Sequence, residues 1–248
     1  MQVLITGEQG FIGKNLSVRL NESEEFSILS YTRDDSIDIL QEKISQSDAI
    51  VHLAGVNRPE NNSEFKTINF GLTESICQVI REVGREIPLI LASSTQAKLD
   101  NPYGKSKYAA EVLVEELSLE TGSPVAVYQL PGVFGRWCKP NYNSVVATFC
   151  NNIANNLPIK INDSHKQLTL VYIDDVITDI LRLLNHKYIG FCRPIIKPEY
   201  SISLGDLARQ IESFKENGNT SIFENSNYGF NSALYSTYLS YLPSNNLQ

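Results

Sequence analysis

Tyr103 and Lys107 lie four positions apart in the run Asn101-Pro102-Tyr103-Gly104-Lys105-Ser106-Lys107. On a helix, positions i and i+4 share a face, so a phenol and an ammonium placed this way act as one unit. The ammonium is expected to lower the phenol's pKa and make it a proton donor or acceptor near neutral pH. This is the only Tyr-x-x-x-Lys in the chain, a Ser93-Ser94 pair lies just upstream, and a glycine-rich turn opens the sequence.

That turn, Thr6-Gly7-Glu8-Gln9-Gly10-Phe11-Ile12-Gly13, follows an apolar run, Gln2–Ile5, and begins a helical pattern that continues to Leu20. Gly7 permits a tight turn, Gly10 lets the backbone approach a pyrophosphate, and Gly13 lets the helix pack on the sheet. The helix N-terminus, with Phe11 and Ile12, offers oriented N–H groups to the anion. A carboxylate at the end of the second strand would bind the ribose 2′-hydroxyl of NAD. The chain instead reads Tyr31-Thr32-Arg33, with Asp34 and Asp35 beyond. Arg33 is placed to pair a 2′-phosphate, which makes NADP(H) the expected cofactor. His52-Leu53-Ala54-Gly55 ends a further strand, and its small residues suit close passage of that cofactor.

Strands are expected at Phe26–Tyr31, Ala49–Leu53, Pro88–Ala92, Val125–Leu130 and Leu168–Ile173. Helices are expected around Leu40–Ile44 and over Phe70–Val83, Tyr103–Glu120, Asn143–Asn156, Asp174–Asn185 and Leu204–Phe214, with a loop over Asn217–Asn231. Alternating strands and helices, with strands reading as apolar runs, predict an α/β fold: a Rossmann-type doubly wound parallel sheet with a small C-terminal substrate-binding region. The expected division is a cofactor-binding core over 1–135 and a substrate-binding region over 136–248 with interleaved core elements.

The 248 residues, 42% hydrophobic with a formal charge of −7, are ordinary for a globular protein and offer no basic stripe for nucleic acid. Cys77, Cys138, Cys150 and Cys192 show no CxxC pair and are expected as buried thiols in a reducing compartment. His52, His165 and His186 are too scattered to predict a metal site. Neither a signal peptide nor an 18-residue apolar run is visible, so a cytoplasmic location without a membrane span is expected.

Together, TGxxGFIG, HLAG, the Ser-Ser strand end, YGKSK and Tyr172-Ile173-Asp174-Asp175 resemble the extended short-chain dehydrogenase/reductases, in their nucleotide-sugar-modifying branch. More narrowly, the runs 54–60, 137–144 and 234–243 resemble the CapF/WbjC-type capsular polysaccharide enzymes, reductases on the route to UDP-N-acetyl-L-fucosamine. The resemblance implies that Tyr103 protonates a sugar C4 carbonyl oxygen, that Lys107 lowers its pKa and binds the nicotinamide ribose, and that Ser94 hydrogen-bonds the carbonyl, with Ser93 as the competing choice. It implies a UDP-sugar substrate, contacted by Arg58, Ser94, Lys139, Asn141 and Asn143, and a homodimer formed through the Tyr103 helix. It also implies a cupin domain after the reductase domain; the run ending in Pro243-Ser244-Asn245-Asn246 reads as a linker.

Related sugar 4,6-dehydratases hold an acidic pair where this chain has Thr95 and Gln96, which cannot do that acid–base work. The run Gln129-Leu130-Pro131-Gly132-Val133-Phe134-Gly135 departs from the family's Arg-x-x-Asn-x-Tyr/Phe-Gly at 129 and 132. Asp174 and Asp175 are expected to cap a helix. The competing functions are an NAD-retaining nucleotide-sugar epimerase and an NADP-binding sensor without turnover.

Overall fold

The structure is a computed structural model and describes residues 1–57, 61, 64–186, 188–217 and 228–243. The chain forms two compact units, Met1–Leu130 with Ile177–Ile196, and Pro131–Val176 with Lys197–Gln248. The first boundary thus falls before the 135/136 division drawn from sequence, and the chain re-enters the first unit for Ile177–Ile196.

The first unit is built on strands β1 (Gln2–Thr6), β2 (Ser27–Tyr31), β3 (Ala49–His52), β4 (Leu89–Ser94), β5 (Val125–Leu130) and, later in the chain, β8 (Phe191–Cys192). They form one six-stranded sheet in the order β2-β1-β3-β4-β5-β8, and each neighbouring pair is parallel. Its helices are α1 (Phe11–Asn21), α2 (Ile37–Gln46), α3 (Leu72–Val83) and α4 (Pro102–Thr121). A π-helical segment, Phe65–Gly71, runs directly into α3. β3 is buried at all four positions, as expected of a parallel strand covered on both faces. Leu4, Ile50, Leu89, Leu91 and Val127 pack with Leu40, Ile44, Ile76, Ile80, Val114 and Leu117 of α2, α3 and α4. The alternate residues Val3, Ile5, Val51 and Ile90 point to the opposite face and are equally buried. From β1 the chain runs outward to β2 and then returns across to β3. The carboxyl ends of β1 and β3 therefore flank the switch point where ligands bind in such sheets.

In the second unit β6 (Gly132–Phe134) pairs parallel with β7 (Gln167–Tyr172), which pairs antiparallel with β9 (Tyr200–Ser203). Helices α5 (Val145–Ala154), α7 (Leu204–Asn217) and α8 (Tyr228–Leu239) enclose a core of Phe134, Phe149, Leu170, Leu207, Phe214, Phe230 and Leu234. A side chain at position 132 would meet Leu170 Cδ2 at 2.9 Å and Thr169 O at 3.2 Å, so Gly132 is what lets β6 lie against β7.

Several elements depart from the sequence reading. β6 and β8, of three and two residues, are too short for periodicity to reveal, and β9 (Tyr200–Ser203) was also not read from the sequence. Residues 218–227 lie outside the described residues, but Tyr228–Asn231, assigned to a loop, already belong to α8. α6 starts at Ile173 and runs to Asn185, so Asp174 and Asp175 sit inside its first turn rather than before it. There their charge favours the helix N-terminus. All four cysteines are free; Cys77 and Cys150 are buried, while Cys138 and Cys192 are only partly so.

The local sequence explains why α4 is held so firmly. Asn101 accepts a hydrogen bond from Gly104 N at 2.8 Å as the N-cap, Pro102 occupies the first turn, and Gly122 ends the helix at φ 76°. Its Leu117 is fully buried in the core. Leu117→Ala is expected to destabilise the protein by roughly 2–5 kcal/mol in urea unfolding.

Candidate active site

The β1–α1 turn is shaped by contacts that leave no room for side chains. Gly7 has φ +75°, and a Cβ there would lie 2.7 Å from Ala54 N at the end of β3. At Gly13 a Cβ would lie 2.3 Å from Gly7 O and 2.6 Å from Glu8 Cα. Gly13 is therefore demanded by the turn itself, not by packing of the helix on the sheet as the sequence suggested. Gly10 differs: a Cβ there would meet only Gly7 O, at 3.1 Å. Gly10 is exposed, its N–H donates to Gly7 O at 2.9 Å, and it is the N-cap of α1 without a side-chain cap. Phe11 and Ile12, half-buried, form the first turn of α1. The first N–H groups of a helix lack intrahelical acceptors, and at an exposed Gly10 they suit a diphosphate.

Behind the turn runs a chain of buried hydrogen bonds that the sequence did not disclose. Ala54 N donates to Thr6 Oγ1 at 3.2 Å, and Thr6 Oγ1 lies 2.6 Å from His52 Nδ1. His52 Nε2 lies 2.9 Å from Thr73 Oγ1, which donates to Asn69 O at 2.8 Å. Because the Thr73 hydrogen is committed to Asn69, the ring must donate from Nε2 and accept at Nδ1 from Thr6. His52 is thus neutral, and burial, helped by the nearby Lys107 charge, lowers its pKa to about 3. Asn69, buried in the π-helical segment, pairs with both Val56 N (2.8 Å) and Val56 O (3.1 Å) and donates to Ser106 Oγ at 3.1 Å. Ser106 Oγ in turn donates to Tyr103 O at 2.8 Å. The only sequence signal for this network was the polar type of Thr6, His52, Asn69 and Thr73 within apolar surroundings.

Ser94, Tyr103 and Lys107 are brought together at the carboxyl end of β4. Ser94 Oγ accepts from Gln96 N at 3.2 Å and is hydrogen-bonded to the Tyr103 phenol. Ser93, the competing serine, is buried and turned to Glu111. Gly104 fixes this approach, because a Cβ there would lie 2.3 Å from Gln96 O and 2.5 Å from Leu99 O. Phe65 packs on the Tyr103 ring with centroids 5.8 Å apart.

The electrostatics differ from the sequence expectation. Burial raises the Tyr103 pKa, with Ser94 the counteracting influence. The Lys107 ammonium donates instead to Ala92 O at 2.9 Å, and burial, opposed by Glu111, lowers its pKa to about 8. Gly55 makes room for it, since a Cβ there would sit 3.2 Å from Lys107 Nζ.

At the end of β2, Asp35 Oδ2 accepts from Thr32 N at 2.8 Å and pairs with Lys43 at 3.3 Å. Its carboxylate is thereby held by its own turn, while Arg33 is exposed. Leu53 and Ala54 are half-buried beside Gly7. Of the expected substrate contacts, Arg58 lies outside the described residues. Lys139, Asn141 and Asn143 are exposed in the second unit. Lys139 Nζ stands 5.6 Å from the Tyr142 ring centroid. Asn141 adopts φ 58° and donates its N–H to Thr148 Oγ1 at 2.9 Å, a conformation that itself favours asparagine. Gln129, at the first family departure, donates Nε2 to Glu111 Oε2 at 2.8 Å. Among the described residues no group of three His, Cys, Asp or Glu could hold a metal ion, and no helix is long and apolar enough to cross a membrane.

Sheet order, switch point and turn geometry are those of a Rossmann-type nucleotide-binding α/β protein. Residues 3–190 match the NAD dependent epimerase/dehydratase family, and the chain belongs to that family. It is 46% identical over 243 residues to UDP-2-acetamido-2,6-beta-L-arabino-hexul-4-ose reductase of Pseudomonas aeruginosa, covering 98% of this chain and 65% of that protein. It is 30% identical over 141 residues to GDP-6-deoxy-D-talose 4-dehydrogenase of Aggregatibacter actinomycetemcomitans, covering 47% of this chain and 48% of that one. The capsular polysaccharide assembling protein CapF from Staphylococcus aureus superposes with a TM-score of 0.86 at 38% identity, over all of this chain and 68% of that one. UDP-glucuronic acid 4-epimerase from Bacillus cereus shares the fold, with a TM-score of 0.81 at 16% identity over 97% of this chain and 98% of that one.

Two outcomes follow from this geometry. Gly10→Ala is expected to fold with near-normal stability yet lose dinucleotide affinity at least tenfold in calorimetric titration, whereas Gly13→Ala loses stability by roughly 1–3 kcal/mol. His52 has a folded pKa below its ordinary 6.5, so the unfolded chain binds the extra proton. Its contribution to stability is complete above about pH 6.5 and declines as pH falls toward 3. His52→Gln should flatten the slope of urea stability against pH in that window.

Proposed function

We propose that the chain uses NADPH to reduce the C4 carbonyl of a UDP-2-acetamido-2,6-dideoxy-hexos-4-ulose, supplying capsule or O-antigen precursors of the L-fucosamine type. The observation that carries this reading is the half-buried Tyr103 phenol hydrogen-bonded to Ser94, with Thr95 and Gln96 exposed beside it and no carboxylate at either place. The Pseudomonas reductase named above supports the substrate class.

The residues present fit a dinucleotide. Gly10 is exposed at the start of α1, where a Cβ would meet only Gly7 O, and the first turn of α1 would hold the diphosphate. Arg33, exposed while Asp35 is turned inward, favours a 2′-phosphate and hence NADP(H) over NAD. A nicotinamide held there would provide the hydride that the carbonyl carbon takes up. The chain's own residues do the rest. Ser94 holds the carbonyl oxygen, and the Tyr103 phenol gives its proton to that oxygen as negative charge develops there. A raised pKa keeps that proton in place through neutral pH, which suits reduction. Lys107 offers positive charge to the resulting phenolate and to the ribose. Lys139, Asn141 and Asn143 of the second unit, with Arg58, supply donors for the nucleotide-sugar's diphosphate and amide groups. A cytoplasmic location is part of the same proposal; no helix among the described residues is long and apolar enough to cross a membrane. Exposed Tyr108 and Leu119 on α4 support a homodimer through that helix. The chain spans 65% of the length of the Pseudomonas relative.

The test is to mix the protein with NADPH and a UDP-4-keto-6-deoxy-N-acetylhexosamine and follow cofactor oxidation. Turnover is expected, with Tyr103→Phe lowering kcat by about 100-fold or more. Arg33→Ala should raise the KM for NADPH about tenfold and leave that for NADH unchanged. No turnover with NADPH, together with tight retention of NAD, would replace this reading with an epimerase.

A further inference from the structure

Glu111 lies one turn beyond Lys107, so Tyr103, Lys107 and Glu111 form a ladder at i, i+4 and i+8 on α4. It is 1% exposed, and nothing in the chemistry described so far uses it. An ionised carboxylate buried this deeply is costly unless its oxygens accept hydrogen bonds. Here they do. Ser93 Oγ donates to Oε1 at 2.5 Å and Gln129 Nε2 donates to Oε2 at 2.8 Å. Both partners give hydrogens, so both oxygens act as acceptors, which is the inventory of the anion rather than the acid.

The cations around this anion are unequal. Arg193 Nε is 3.8 Å from Glu111 Oε2, but its closer ion pair is with Glu115, at 3.0 Å. Its guanidinium also covers the Phe191 ring at 4.5 Å, and its side chain is 42% exposed. Lys107 is buried on the same helix and attracted by Glu111. Facing Lys107 from β3 is neutral His52, from β4 the Ala92 carbonyl, from the π-helical segment the amide of Asn69, and from α4 itself Tyr103 and Glu111. Glu111 is the one anion in that set.

We propose that Glu111 is a positioning residue that holds Lys107 in its charged form beside Tyr103, and that Gln129 satisfies the carboxylate without competing for its charge. A neutral amide at 129 completes the hydrogen bonding of Oε2. A cation at the same place would share the anion and weaken its hold on Lys107. Ser93, passed over for carbonyl binding, orients the carboxylate from below.

The inference rests on the reductase reading for its kinetic arm alone, and its titration arm needs neither cofactor nor substrate. The full chain labelled with 13Cε-lysine is titrated by NMR, with Lys107 assigned from Lys107→Arg. Glu111→Gln is expected to lower the Lys107 midpoint by about 1 unit or more. Gln129→Arg should lower it as well, and Arg193→Gln should raise it. A packing defect would not give shifts of opposite sign. With NADPH and the keto sugar, the alkaline limb of kcat/KM should move in the same directions. An unmoved Lys107 midpoint in folded Glu111→Gln overturns the proposal. If that variant fails to fold, the proposal is overturned by Gln129→Arg and Arg193→Gln shifting the midpoint the same way or not at all. Shifts of the expected signs in a protein that oxidises no NADPH would uphold this inference while removing the reductase reading.

Discussion

One neutral imidazole ties the helix of Tyr103 to the turn at Gly7. Through Thr6, His52 reaches the end of β1, and through Thr73, Asn69 and Ser106 it reaches the backbone of Tyr103. Each group in this path spends its hydrogen in one direction. The path therefore has one hydrogen-bonding arrangement, and a protonated ring would leave Thr6 with no acceptor to serve. Burying so many polar groups is tolerable only because each is partnered. In exchange, the Gly7 turn and Tyr103 are held in one frame even though about a hundred residues of sequence separate them.

The same economy governs the reactive cluster. Ser93 and Ser94 are adjacent in a strand, so their side chains leave on opposite faces. Ser94 turns to the Tyr103 phenol, and Ser93 serves the buried Glu111. Gly104 and Gly55 contribute by what they lack, the first allowing α4 to touch the Thr95–Lys98 turn and the second leaving space for the Lys107 ammonium. The geometry is set by close contacts between backbone atoms, which tolerate little adjustment.

Much of this was legible in the chain. The glycine turn, the parallel strands and the Ser-Tyr-Lys group are local patterns, and each appears where periodicity and turn chemistry place it. Interactions remote in sequence were not legible. Nothing in the spacing of Asn69 or Glu111 shows that their partners lie on other strands. The phenol–ammonium pairing was read from helical spacing and the motifs around it, and neither reports that Lys107 donates to Ala92 O. The reason for Gly13 was likewise mislocated, because its close neighbours belong to the turn preceding it. The short strands β6, β8 and β9 owe their extended form to pairing with partners, a tertiary effect that overrides weak local preference.

The interruption of the first unit between Leu130 and Ile177 has a bearing on synthesis. A ribosome delivers β1 to β5 well before it delivers β8, the strand that pairs with β5 at Val125 and Ala126. Until then β5 is an open edge, and an unpaired edge invites association with other chains. Arg193 follows β8 directly, so the same late segment brings the last cation near Glu111. The nascent sheet and the electrostatics of its buried carboxylate are thus finished together, near the end of translation of this stretch.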